Sequence, residues 1–202
     1  MLLDASQSNP IDAYHLLIGV VTPRPIAWVT SVDTQGRVNL APFSFFNAFG
    51  ANPPVVIFSP TLRRDGSQKD TLKNVEATGE FVLNSAVESL AEQVNLSSKE
   101  IPYGESEVDL TGLTLLPSVK VKPPRLAETP VNMECKVLEI KTIGSGSGCA
   151  NLVIGKVLVF HVDDRLLDEK GRVDPRKLRT IARLGGDYYC RTSDLFELKR
   201  PK

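Results

Sequence analysis

Short runs of β-branched and apolar residues, each closed by turn formers, dominate this chain. Residues 25–32 carry Ile26, Trp28, Val29 and Val32, and Asp33, Thr34, Gln35 and Gly36 then read as a turn. Residues 37–40 are therefore the returning arm of a hairpin. Residues 55–59 and 80–84 read as short buried strands, and 132–143 and 151–162 as two long ones. Between the long pair lies Gly144-Ser145-Gly146-Ser147-Gly148, followed by neither Lys-Ser/Thr nor a helix. That context predicts a flexible hairpin connection and not a phosphate loop. Leu72 and Val75 predict a helix over 69–78, ended by Gly79. Val87, Leu90, Ala91 and Val94 share a face and predict a second over 86–96, and 175–181 reads as a short third. Many strands with few helices, no repeat and no dividing linker predict a mainly β barrel, one domain over 1–202.

Residues 39–60, NLAPFSFFNAFGANPPVVIFSP, break the pattern. Phe43, Phe45, Phe46 and Phe49 alternate with Ser44 and Asn47, and Pro42, Pro53 and Pro54 cannot donate to a ladder. The segment is expected to leave regular pairing near its prolines and to free backbone groups for a flat, partly polar ligand. The competing expectation is that the four phenylalanines fill the barrel.

Composition narrows the function classes. Lys plus Arg and Asp plus Glu each number 24, so there is no basic excess for a nucleic-acid surface. No apolar run approaches the ~18 residues of a membrane helix, and the N-terminus lacks the features of a signal peptide. Three widely spaced cysteines and two histidines argue for free thiols in the cytoplasm and against a metal site. There is no G-x-S-x-G and no G-x-G-x-x-G after a strand, so redox chemistry would need a cofactor to carry it.

Thr22-Pro23-Arg24-Pro25-Ile26-Ala27-Trp28-Val29-Thr30-Ser31 resembles the opening of the flavin reductase-like family, FMN-binding split-barrel proteins that include the flavoredoxins. The resemblance continues through Asn39-Leu40-Ala41-Pro42-Phe43-Ser44-Phe45-Phe46-Asn47, Pro53-Pro54, Lys69-Asp70-Thr71 and Thr78-Gly79-Glu80-Phe81-Val82. It closes on Gly155-Lys156-Val157 and Arg183-Leu184-Gly185-Gly186 with Tyr188, covering roughly residues 20–190. It implies a six-stranded antiparallel split barrel with Greek-key-like order, a homodimer, and FMN in a groove near the interface. It also implies hydride transfer from NADH or NADPH to flavin, with delivery to a monooxygenase or another acceptor. A flavoredoxin-like electron carrier and a non-redox binder are the alternatives.

On that resemblance Arg24 and Pro25 are expected at the flavin edge or phosphate, and Thr30 and Ser31 at the ribityl chain or phosphate. Ala41, Pro42, Ser44, Phe45 and Phe46 are assigned to the ring, and Asn47 to ribityl or phosphate oxygens. Lys69 and Thr71 open a helix whose first-turn amides suit a phosphate, with Asp70 read as its cap and Arg63 and Arg64 as a solvated loop. Arg183 and Tyr188 are expected to border the flavin. His161, inside a strand, is the candidate catalytic residue, placed to orient a nicotinamide or substrate. Trp28 is expected in the interior or at a dimer contact, and Gly185-Gly186 at a helix end.

Overall fold

The structure, a computed structural model, describes residues 2–102 and 104–201. Its first elements are α1 (Pro10–Val20), β1 (Arg24–Pro25), β2 (Ala27–Val32), β3 (Val38–Phe43), β4 (Phe46–Ala51) and β5 (Pro54–Phe58). Then come α2 (Asp70–Thr78), β6 (Glu80–Ser85), α3 (Ala91–Leu96), α4 (Glu107–Thr111), β7 (Leu115–Leu116) and β8 (Arg125–Leu126). The long strands β9 (Val131–Ile143) and β10 (Ala150–Val162) and the short β11 (Ile181–Arg183) and β12 (Tyr189–Arg191) complete the chain.

The main sheet is antiparallel in the order β3-β2-β6-β9-β10-β5-β4. Its two end strands are consecutive in the chain, joined only by the bend at Ser44 and Phe45. Counted as one bent strand, β3 and β4 close a six-stranded barrel, split where the bend interrupts pairing. The sequence led to the expectation that pairing would fail near Pro42, and it does not. Pro42 sits opposite Trp28 inside β3, and β3 is an edge, so its missing N–H faces away from the ladder. Pro53 lies in the β4–β5 turn, where Ala51 pairs with Pro54.

Alternation along the strands sorts two cores. Ala27, Val29, Phe43, Phe58, Phe81, Leu83, Cys135, Val153 and Val157 fill the barrel, with Leu72 and Val75 of α2 plugging its open side. A tight fit shows at Gly155, where a Cβ would collide with the Phe81 ring. On the other face Ile26, Trp28 and Leu40 pack with Val94 of α3, Val108 of α4 and Leu126. Trp28 is fully buried there, its indole Nε1 donating to Ser97 Oγ at 2.9 Å.

Several local expectations change. The segment 86–96 is not one helix: Val87 bridges to Thr180, a single 3-10 turn spans Glu88–Leu90, and only α3 is α-helical. Residues 175–178 form turns held by Lys177 and Leu178 amides donating to the Asp174 carbonyl, in place of a third helix. Gly185 and Gly186 turn β11 into β12 and end no helix. By contrast α2 stops at Gly79, whose φ of 70° is the left-handed conformation that glycine adopts without strain. No helix among the described residues is long and apolar enough to cross a membrane.

Candidate functional site

The N-terminus of α2 meets the inner face of β3 in a cavity of ≈100 Å³, the scale of a phosphate group and not of a three-ring flavin. Ala41, Pro42, Arg63, Lys69, Thr71 and Ser98 are among its lining residues. Lys69 is the N-cap of α2, and no side chain caps that end. The amides of Leu72 and Lys73 both donate to the Lys69 carbonyl. Those of Asp70 and Thr71 find no acceptor among the described residues, so two N–H dipoles with the positive helix end behind them face the cavity.

The side chains reinforce that sign. Lys69 Nζ lies 5.6 Å from the centroid of the Phe43 ring and has no carboxylate within ion-pair distance among the described residues. Burial holds its pKa below the ordinary value; Glu100 opposes this and Arg63 adds to it. Thr71, 1% exposed, accepts from Asn39 Nδ2 at 2.8 Å, which leaves its O–H to donate elsewhere. Arg63 is half-buried, donates to the Gln68 carbonyl, and pairs with Asp70 at 3.3 Å. Asp70 is therefore a neutralised first-turn carboxylate held by Arg63 and Lys73, not the cap the sequence suggested. Arg63 belongs to the cavity, whereas Arg64 is exposed. Glu107 closes one wall: its buried carboxyl accepts from the Leu40 amide at 2.9 Å, and burial pushes its pKa up.

The expected ring segment lies next along the chain. Ala41 and Pro42 line the cavity, and the chain then bends at Ser44 and Phe45. Phe43 is core, Phe46 packs partly against it, and Phe49 is 64% exposed, so the four phenylalanines neither all fill the barrel nor all leave it. The Phe45 carbonyl accepts from the Ser59 amide at 2.9 Å. Asn47 is exposed, its Oδ1 accepting from the Ala48 amide.

The other expected residues are not among those lining this cavity. Arg24 is 5% exposed and donates to the carbonyls of Ile18, Val21 and Leu184, with a long 3.4 Å contact to Ser44 Oγ. Its guanidinium ties the C-terminal end of α1 to the β11–β12 turn and does not face the cavity. Pro25 pairs with Ala182. Thr30 donates to the Pro124 carbonyl at 2.6 Å, and Ser31 accepts from Asn74 Nδ2 at 3.1 Å. Arg183 stacks on Tyr189 at 4.5 Å and donates to the Gly186 carbonyl, while Tyr188 is 75% exposed.

His161 is not brought to this group. Three strands separate β10 from β3 along one side of the sheet, and the imidazole Nε2 is bonded to Glu134 Oε1 at 2.7 Å. Glu134, fully buried, also accepts from the Val119 and Lys120 amides at 2.8 and 2.6 Å. Burial would raise its pKa, but those donors outweigh it and hold the carboxyl low. A larger cavity of ≈650 Å³ lies between Glu88, Asp163, Arg165 and Arg179, whose charges already pair as Arg179–Glu88 and Arg165–Asp163. Asn39, Ser98 and Glu107 were missed from the sequence; Asn39 stood inside the resembling motif, and the other two carry no local signal.

A family model described as flavin reductase like domain matches residues 20–181. The uncharacterized protein BH2278 of Halalkalibacterium halodurans is 42% identical over 100% of this chain and 97% of its own length. Among solved structures, nitrilotriacetate monooxygenase component B from Bacillus cereus superposes with a TM-score of 0.92 at 36% identity, covering 98% of each chain. The 2-nitrobenzoate 2-nitroreductase NbaA of Pseudomonas fluorescens gives a TM-score of 0.89 at 34% identity, covering 100% of this chain and 96% of that one.

Proposed function

This chain belongs to the flavin reductase-like family, and from that premise we propose that it is a one-domain FMN-binding oxidoreductase that takes electrons from NADH or NADPH and passes them to a partner or acceptor. The observation that carries the reading is the uncapped start of α2, where two amides, Thr71 and the Lys69 cation, which has no carboxylate partner among the described residues, converge beside Arg63. The FMN phosphate would be held there, and the ring would lie along the bend at Ser44 and Phe45. FMN, when bound, supplies the two-electron chemistry. The chain's own part is to neutralise the phosphate, exclude water from one ring face and fix the ring's orientation.

The working form we propose is a homodimer. Ile11 and Val20 of α1, Phe49 of β4 and Phe160 of β10 are all more than half exposed, apolar groups that a second copy would cover. A monooxygenase component is the first acceptor to try, given the resemblance to component B of the nitrilotriacetate enzyme. Three free cysteines fit a reducing cytoplasm. The deciding measurement is the visible spectrum of FMN-loaded protein before and after anaerobic NADH or NADPH. Rapid bleaching is expected. A bound flavin that stays yellow would identify a flavoredoxin-like carrier. No retained flavin, together with no turnover on added FMN, would remove the reading.

A further inference from the structure

A second cavity, of ≈360 Å³, opens at the barrel end where Ala27 pairs with Ser85. Pro25, Phe46, Leu83, Met133 and Ala182 are among its lining residues. No Asp, Glu, Lys, Arg or His is among its lining residues. Its polar groups are few and mostly used. Asn84 bonds the Trp28 carbonyl, Thr30, Asn132 and the Leu126 amide. Thr180 and Thr192 bond each other at 3.0 Å. Ser85 Oγ accepts from the Val131 amide at 3.3 Å, and its own O–H has no acceptor among the described residues.

A charged ligand would lose part of its hydration here with no charged group to replace it, whereas an apolar ring would gain contact with the apolar lining. An apolar cavity of about 150 Å³ holds benzene. The space here suits one substituted ring, or two fused ones, bearing a neutral acceptor for the spare hydroxyl. We propose that this cavity is a binding site for a neutral aromatic or quinonoid molecule carrying a carbonyl or nitro group, with Ser85 as its hydrogen-bond donor. Phe46 belongs both to this lining and to the segment that follows the bend. The site's place beside a flavin therefore rests on the function proposed above, while its own chemistry does not.

The chain has two methionines, and Met133 lines the cavity, so methyl-¹³C methionine NMR reads the site directly. Flavin-free protein is titrated with acetophenone and separately with benzoate, the Met133 signal being assigned by Met133→Leu. Acetophenone should shift that signal saturably, and benzoate should bind at least about tenfold more weakly. Ala182→Phe, which fills the space, should abolish the shift. Ser85→Ala should weaken binding about three- to tenfold, and it keeps the test open if Ala182→Phe fails to fold. An unmoved Met133, equal affinity for benzoate, or wild-type affinity in Ser85→Ala would overturn the proposal. So would displacement of acetophenone by FMN, because the cavity would then hold the flavin ring. Acetophenone binding in a protein that never takes up FMN would leave this site standing and remove the flavin reading.

Discussion

The cradle at the start of α2 and the corner around Glu134 are built from the same material, buried polar side chains held between strands. They differ in what remains after every bond is made. Around Glu134 each strong group is answered: the carboxylate takes the Val119 and Lys120 amides and His161. The neighbouring lattice is closed too, with Asn132 Nδ2 held by Asn84 and Thr129. At α2 there is a surplus of donors: two helix amides, the Thr71 hydroxyl and a lysine facing an aromatic ring instead of a carboxylate. A closed network holds a fold in one arrangement. A surplus of donors, held in place by that fold, is a reason to expect a ligand rich in acceptors.

The largest effect should come from breaking the closed side. Glu134→Ala leaves three donors without their buried acceptor and frees the 117–124 segment, at a cost of about 3–5 kcal/mol. Denaturant unfolding reads this, and FMN affinity in the folded fraction should be unchanged. The acid limb sharpens the point. The folded-state pKa of Glu134 lies below its ordinary 4.5, so its contribution is fully present above that pH and is lost as pH falls through the lower folded value. Glu134→Gln should flatten that limb. An unaltered acid limb would mean that the corner contributes nothing through its charge.

Removing the surplus should do the reverse. Lys69→Ala deletes a desolvated cation from the phosphate site and should weaken FMN binding about 10- to 100-fold, as a lost charge-assisted contact of about 1.5–3 kcal/mol. Thermal stability of the flavin-free protein should hold or rise, since a partly desolvated cation with no carboxylate partner among the described residues is gone. Fluorescence titration measures the first and calorimetry the second. A fall in stability with unchanged affinity would place Lys69 with Glu134, among the structural groups.

How far each region could be read from sequence follows from the same contrast. The helix beginning at Lys69-Asp70-Thr71 was legible from the apolar spacing of Leu72 and Val75 and from Gly79 at its end, although Asp70 does not cap it. The hairpin over residues 25–40 and the mainly β character were legible because alternation and turn residues are local as well, whereas the split barrel came only from the family resemblance of the motifs. Glu134 was invisible, since its partners stand 14, 15 and 27 residues away and only the closed barrel brings them together. Arg24 misled for a related reason: a cation beside a motif invites a ligand, but the carbonyls that occupy it come from α1 and from the β11–β12 turn. The helix α1 went unread although two signals were available, Ile11, Tyr14 and Leu17 at helical spacing and Asn9 capping the Ile11 amide with Pro10 following; most of its apolar residues are exposed and only Ile18 is buried.

Proton linkage gives the next test. The pKa of Lys69 is depressed by burial, and a phosphate beside it would raise it again. Binding then takes up a proton when the free side chain is neutral. FMN affinity should accordingly be flat where Lys69 is charged in the free protein and should decline as pH rises through its lowered value, earlier than an ordinary lysine at 10.5 would allow. In Lys69→Arg the decline should vanish over the same range, because a guanidinium stays charged. A wild-type profile flat to pH 10.5 would show that this lysine does not meet the phosphate.

The smallest effect should come from the residue that links surplus to structure. Asn39 Nδ2 donates to Thr71 Oγ1 and so directs the threonine's proton outward. Asn39→Ala should cost about 1 kcal/mol of stability, because Thr71 loses one bond in a buried position. FMN affinity should fall only about three- to tenfold, since the hydroxyl remains but its direction is no longer fixed. Thr71→Ala should remove the same increment, and the double variant should lose no more affinity than Thr71→Ala alone, because Asn39 has nothing left to orient. Additive losses would instead mean that Asn39 meets the ligand itself, and that the cradle extends further along β3 than the α2 amides alone require.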